Sequence, residues 1–70
     1  MDKFDERTTE IAVLWTRAQS AVAAFISSIV PAFQDSDDIL QQVAVAVIKN
    51  YDKYDRDRPF VAWAIGIARN

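Results

Sequence analysis

An unbroken apolar stripe runs through the first half of the chain and stops at a proline. Its members recur every three or four residues: Ile11, Leu14, Ala18, Val22, Phe25 and Ile29. That spacing is the period of an α-helix with one apolar face, and it does not fit the alternation of a strand. Thr8 or Thr9 can cap the start, and Pro31 ends the segment because proline lacks a backbone N–H. The sequence therefore predicts a long first helix over residues 8–30.

A second helix is predicted over residues 36–50. Asp35 or Ser36 can accept hydrogen bonds from the free N–H groups at its start, and the apolar residues Leu40, Val43 and Val47 share one face. The β-branched residues of this segment would also suit a strand. The acidic cap and the lack of a partner strand favour the helix.

A third helix is predicted over residues 59–70, after the charged segment 51–58. Asp57 is the expected cap, with Pro59 in the first turn, where its missing N–H costs nothing. Phe60, Trp63 and Ile67 then recur at helical spacing. With 70 residues there is room for one domain at most, so we expect an all-α fold, a small bundle of three or four helices.

Composition excludes most catalytic chemistry. The chain has no Cys, no His and a single Gly, so thiol chemistry, His/Cys metal centres and glycine-rich phosphate loops are ruled out. The acidic cluster at Asp35, Asp37 and Asp38 lacks the spacing of a calcium loop and is better explained by helix capping. We therefore expect no enzymatic activity, no cofactor and no metal.

Charge and hydropathy indicate where the chain resides and which part meets nucleic acid. The formal net charge is −2, but residues 49–70 hold five basic and three acidic side chains. The net charge alone argues against nucleic-acid binding, but any contact with phosphate should come from this last third. No apolar run approaches the length of about 18 residues that a membrane helix needs, and the charged N-terminus does not resemble a signal peptide. We expect a cytoplasmic protein without a membrane partner.

Two motifs resemble region 2 of bacterial RNA polymerase sigma factors, most closely the extracytoplasmic-function (ECF) group. The run Asp37-Asp38-Ile39-Leu40-Gln41-Gln42-Val43 is similar to the family's acidic-Asp-aliphatic-aliphatic-Gln-Glu-aliphatic pattern. Tyr54-Asp55, followed by the segment from Pro59 to Asn70, is similar to the Phe-x-x-Trp-Leu-x-x-Ile-Ala-x-Asn signature. Both stand in the family's order and at its separation, and the resemblance covers about residues 8–70.

The resemblance implies that the second helix docks on the clamp coiled coil of the β′ subunit of core RNA polymerase. Asp38, Gln41 and Gln42 match the polymerase-facing positions. Helical geometry agrees, since positions 38, 41, 42 and 45 turn outward when the apolar face turns inward, which adds Val45. Glutamine amides both donate and accept hydrogen bonds, as a polar partner helix requires. Gln42 departs from the family, which usually has Glu at that position.

The resemblance also implies that the third helix and the loop before it recognise and melt the promoter −10 element and hold a non-template base. The expected DNA-contacting residues are Arg56, Arg58, Phe60, Trp63, Arg69 and Asn70. Arginines suit phosphates, aromatic rings stack on bases, and an Asn amide can read a base edge. For Phe60 and Trp63, which lie at i and i+3, packing on the core is the favoured alternative. Gly66 stands where the family often has Arg.

The expected function is that of a transcription initiation factor module, with core polymerase, promoter DNA and an anti-sigma factor as partners. The chain stops in mid-helix, so we expect a fragment of a longer protein that lacks the C-terminal promoter-binding domain. The alternative is a helical protein–protein interaction or dimerisation module unrelated to transcription. The apolar side chains of Val45 and Ile48 on the outer face of the second helix would serve it.

Overall fold

The computed structural model describes residues 5–69, which form three α-helices. Helix α1 spans Glu6–Ile29, α2 spans Phe33–Asn50 and α3 spans Phe60–Arg69. A short 3-10 turn, Tyr51–Lys53, follows α2 directly. Each α-helix packs against the other two, and residues 5–69 contain no strand. The prediction of an all-α bundle is confirmed, and the strand alternative for the second segment is wrong.

The core lies where the inner faces of the three helices meet. Its buried apolar members are Ile11, Ala18, Val22, Ile26, Val43, Val47, Tyr51, Phe60 and Ala64. The stripe predicted along α1 is largely confirmed, but its last member is not. Ile29 is 62% exposed, whereas Ile26 is 1% exposed. Periodicity identifies the face that turns inward, but it does not show how far along the helix that face is covered.

Helix α1 begins two residues earlier than predicted, because Asp5 is its cap. The Asp5 carboxylate accepts a hydrogen bond from the backbone N–H of Thr8 at 2.8 Å. This hydrogen bond is the main reason that the pKa of Asp5 lies below its usual value. The prediction that Thr8 or Thr9 caps the helix was wrong, since both lie inside its first turn. A carboxylate at this end also complements the helix dipole.

Helix α2 begins three residues earlier than predicted, at Phe33. Ala32 occupies the cap position with an extended backbone and no side-chain hydrogen bond. Ser36, predicted as a cap together with Asp35, instead lies in the first turn and donates its hydroxyl to the Phe33 carbonyl at 2.9 Å. Ser36 is buried there, so its hydroxyl needs this local partner.

Helix α3 begins at Phe60, and its first backbone hydrogen bond runs from Trp63 N–H to the Pro59 carbonyl at 3.2 Å. Pro59 therefore stands just before the helix rather than in its first turn. Asp57 was predicted as the cap and is not, because Pro59 stands directly before the helix and its carbonyl accepts the first helical hydrogen bond. The backbone N–H of Asp57 donates to the Asp55 carboxylate at 2.9 Å. Within residues 5–69, no helix is long and apolar enough to cross a membrane.

Candidate functional site

The four residues predicted on the outer face of α2 form one exposed surface. Asp38, Gln41, Gln42 and Val45 are all exposed and line a shallow groove of about 590 Å³. The opposite side of the helix buries Val43 and Val47 in the core. We call this surface, together with the groove residues Ala46, Lys49 and Asn50, the docking face. Its polar side chains are accessible to a partner because the opposite side of the helix packs in the core.

The docking face continues further along α2 than sequence reasoning proposed. Ala46, Lys49 and Asn50 complete the groove. Lys49 is three to four positions beyond Val45 and Ala46, so helical spacing from Asp38 and Gln42 could have identified it. Asn50 donates its amide to the Ala46 carbonyl at 2.8 Å, which holds it at the end of the helix.

The acidic side chains at the start of α2 do not form a metal site. Among the described residues, no group of three or more acidic side chains is placed to hold an ion. Asp37 instead accepts a hydrogen bond from the Gln41 amide, one helical turn later, at 3.2 Å. This contact orients Gln41 along the helix and leaves Gln42 without such a restraint.

The segment Tyr54–Pro59, here called the connector, is closed by hydrogen bonds within itself. The Tyr54 hydroxyl donates to the Arg58 carbonyl, and the Arg58 N–H donates to the Asp55 carbonyl at 2.9 Å. The Asp55 side chain accepts from Asp57 N–H, as noted above. A loop with this many internal contacts presents its side chains in a defined arrangement.

Aromatic rings fasten the connector to the core. Trp63 lies 5.0 Å from Tyr54 and 6.4 Å from Tyr51 between ring centroids, and Phe60 meets Tyr54 edge-on at 5.4 Å. Such edge-on and tilted pairs are favourable beyond the area they bury. Phe60 is only 7% exposed. Of the two predicted stacking residues, Phe60 is therefore part of the core, while Trp63 is half-buried.

Trp63 keeps one side at the surface. Together with Arg58, Pro59 and Ala62 it lines an open groove of about 370 Å³ at the start of α3. A flat aromatic wall beside a guanidinium is the combination that binds an unstacked base and its phosphate. The alternatives stated for Trp63, packing and DNA contact, are thus both compatible with its position.

The predicted arginines do not form one cluster. Arg56 and Arg58 are both exposed on the connector. Arg69 lies at the far end of α3, where its guanidinium sits over the Phe25 ring at 5.6 Å. The ten residues of α3 separate it from the connector by roughly 14 Å of helix. Asn70 lies outside the described residues.

A cleft of about 560 Å³ between the start of α1 and the connector was missed by sequence reasoning. Two ion pairs cross it: Arg7 to Asp52 at 2.9 Å and Glu10 to Arg56 at 2.7 Å. The paired residues are 45 and 46 positions apart in the sequence, so no local pattern predicts the two ion pairs. Only the fold of α1 against the connector brings them together.

The hydroxyl of Tyr51 lies buried at the floor of this cleft. It makes no hydrogen bond of ordinary geometry to residues 5–69, but it lies close enough to the Glu10 carboxylate to interact with it. Burial is the main reason that the pKa of Tyr51 is raised, and the nearby Glu10 carboxylate adds to the effect. The hydroxyl therefore stays protonated at neutral pH and can donate to the Glu10 carboxylate.

A protein-family comparison matches most of the chain. The family model described as Sigma-70 region 2 covers residues 14–70. The matched segment contains the whole docking face, the connector and α3, but it begins after Arg7 and Glu10. No curated protein and no solved structure matches the chain.

Proposed function

Because the chain belongs to the sigma-70 region 2 family, we propose that it docks on core RNA polymerase through α2 and binds promoter DNA through the connector and α3. Family membership gives it a sigma factor role in transcription initiation. The finer assignments are part of the proposal: the clamp coiled coil as docking partner, melting of the −10 element, and the ECF group.

The observation that carries the docking half is the gathering of Asp38, Gln41, Gln42 and Val45 in one exposed groove. The two amides donate and accept hydrogen bonds, and the carboxylate accepts them. Val45, half exposed, supplies an apolar contact in their midst. A polar helix with occasional apolar side chains, such as one strand of a coiled coil, matches this mixture.

The DNA half rests on the groove beside Trp63 and on the arginines at the connector. Arg58 lines the groove, and among residues 5–69 its guanidinium has only a long ion-pair contact of 3.9 Å, to Asp55. We propose Trp63 as the stacking surface and Arg58 and Arg56 as phosphate contacts. Phe60 supports Trp63 from the core, and it would meet a base only if α3 moved.

Three of the predicted contacts stay as expectations from the family resemblance. Asn70 would read a base edge, and Arg69 would contact a phosphate further along the strand. An anti-sigma factor would compete for one of the same surfaces. Replacement of Asn70 by Ala should flatten the ranking of promoters that differ at single −10 positions, while an unchanged ranking would remove its base-reading role.

Capture of core polymerase tests the docking half. Changing Gln41 and Gln42 together to Ala should weaken capture at least tenfold, because several interfacial hydrogen bonds are lost at once. The matched control changes Gln19 and Gln34 to Ala, which are equally exposed helix positions outside the groove. Circular dichroism checks that both variants stay helical. Equal capture by the two variants would place the docking surface elsewhere.

A second candidate function is self-association through apolar surface. Val45 and Ile48 are 50% and 57% exposed on α2, as a dimerisation face would require. Sedimentation of the purified chain separates the two functions. A monomer that binds polymerase supports the sigma role, whereas a stable dimer that does not bind polymerase supports self-association as the function.

A further inference from the structure

We propose that Glu10 holds Arg56 in an ion pair before DNA binds and yields it to a DNA phosphate afterwards, so that its carboxylate competes with the DNA for the guanidinium. The proposal rests on the DNA-binding function proposed above and assigns to it a residue that precedes the family match at residues 14–70. In this exchange, a DNA phosphate replaces the Glu10 carboxylate as the partner of the Arg56 guanidinium.

The geometry of the ion pair makes Glu10 the fixed partner and Arg56 the movable one. Their closest atoms, Arg56 Nη2 and Glu10 Oε2, are 2.7 Å apart. The side chain of Glu10 is 34% exposed and stands on α1, whereas that of Arg56 is 72% exposed and stands on the connector. The guanidinium can therefore rotate towards solvent, while the carboxylate stays against the helix.

Exchange with a phosphate is energetically easy. An ion pair with one largely exposed partner contributes little to stability, because water screens it and both side chains lose freedom. A phosphate offers the guanidinium paired acceptor oxygens of the same kind as a carboxylate. When DNA enters the groove beside Trp63, its backbone passes the connector. Arg56 and Arg58 are both on the connector, so both guanidinium groups are near that backbone.

Tyr51 removes the main cost of this exchange. A half-buried carboxylate that loses its cation is normally penalised. Here the buried Tyr51 hydroxyl already lies close to the Glu10 carboxylate without a hydrogen bond of ordinary geometry to it. It can donate to the carboxylate once Arg56 leaves. Ile11 of α1 and Tyr51 both belong to the buried core, so Glu10 and Tyr51 remain neighbours when Arg56 leaves.

The test measures the affinity of the complex of the chain with core polymerase for a labelled, mixed-sequence single-stranded DNA, with core polymerase alone as the blank. Glu10→Gln should tighten binding about two- to fivefold, since it releases Arg56 from a surface ion pair. Glu6→Gln is the matched control, because Glu6 lines the same cleft and carries the same charge. It should change the affinity for DNA by about 1.5-fold at most, because salt screens the effect of a surface charge.

Two further variants distinguish the release of Arg56 from Glu10 from a general effect of surface charge on DNA binding. In an Arg56→Ala background, Glu10→Gln should have no effect, because there is no guanidinium left to release. Tyr51→Phe should weaken binding by about twofold or more when Glu10 is present, since one hydrogen bond is lost, and should have no effect in the Glu10→Gln background. Thermal unfolding shows whether Tyr51→Phe keeps the fold.

Each outcome decides between the two proposals. Equal tightening by Glu6→Gln and Glu10→Gln, or tightening that survives Arg56→Ala, would overturn the role of Glu10 and leave DNA binding standing. If Arg56→Ala weakens binding but Glu10→Gln changes nothing, the role of Glu10 is likewise overturned. If Arg56→Ala has no effect, the proposed phosphate contact fails as well, and absent binding by the parent complex would overturn the DNA-binding proposal itself.

Discussion

The Tyr54 hydroxyl donates a hydrogen bond to the carbonyl oxygen of Arg58, four residues later, and so closes the connector on itself. The same tyrosine ring packs against Phe60 and Trp63. One side chain thus ties a basic loop to the aromatic part of the core. The position of Arg58 beside the Trp63 groove depends on this contact.

Two tyrosine-to-phenylalanine changes should have opposite effects on stability. Tyr54→Phe loses a hydrogen bond and should lower the free energy of unfolding by about 1 kcal/mol. Tyr51→Phe removes a buried hydroxyl without a hydrogen bond of ordinary geometry among the described residues, so it should leave stability unchanged or raise it by about 1 kcal/mol. Urea unfolding followed by circular dichroism measures both. A loss of stability in Tyr51→Phe as large as that in Tyr54→Phe would contradict this account.

Two isoleucines near the end of α1 should differ sharply in their contribution. Ile26→Ala should cost about 2–5 kcal/mol, because it leaves a cavity in a core residue that is 1% exposed. Ile29→Ala should stay within about 0.5 kcal/mol of the parent, because Ile29 is 62% exposed. Thermal or urea unfolding checks the pair, and comparable losses would mean that a partner covers Ile29 in solution.

Gly66→Ala should stabilise the protein by about 0.5–1 kcal/mol, since glycine inside a helix loses more backbone entropy on folding than alanine does. Apart from its chain neighbours and the backbone of its own helix, a Cβ atom placed at Gly66 meets no atom of residues 5–69 within 4 Å, and the residue does not have a positive φ. The midpoint of urea unfolding is the measurement. A lower midpoint would show that α3 needs the missing side chain for a close approach.

Arg58→Ala should weaken binding of single-stranded DNA by the polymerase complex about equally for all sequences, because a phosphate contact carries no base information. The slope of log affinity against log salt should become shallower by about 0.7, as expected for one phosphate contact on a single strand. Arg17→Ala removes the same charge from an exposed position on α1, outside both grooves, and should leave the slope unchanged. A change of promoter ranking in Arg58→Ala would instead indicate base reading.

Local patterns in the sequence were sufficient for the helices, for most of their inner faces and for the family. The period of three and four residues identified Val22, Val43 and Val47 as core, because helical spacing alone decides which side chains share a face. The outward direction of Asp38, Gln41, Gln42 and Val45 followed from the same geometry. The family match at residues 14–70 agrees with the two motifs that suggested it.

The helix starts could not be read reliably, because several neighbouring side chains were able to cap each one. Asp5 caps α1 in place of Thr8, and α2 starts at Phe33 after Ala32, which provides no side-chain cap. Packing of the helices decides how many residues of a capable segment become helical, and local capping preferences of about 1 kcal/mol are too small to overrule it.

By itself, the sequence determined three amphipathic helices and the side chains that share each face, since these depend on neighbours within about four residues. Helical spacing favoured core packing for Phe60, and the tertiary structure buries it. Only the tertiary structure decided that Trp63 borders an open groove and that Glu10 meets Arg56 across 46 positions. Contacts of that range arise from the way in which the three helices settle against one another. No local spacing encodes them, because they join surfaces rather than positions along one helix.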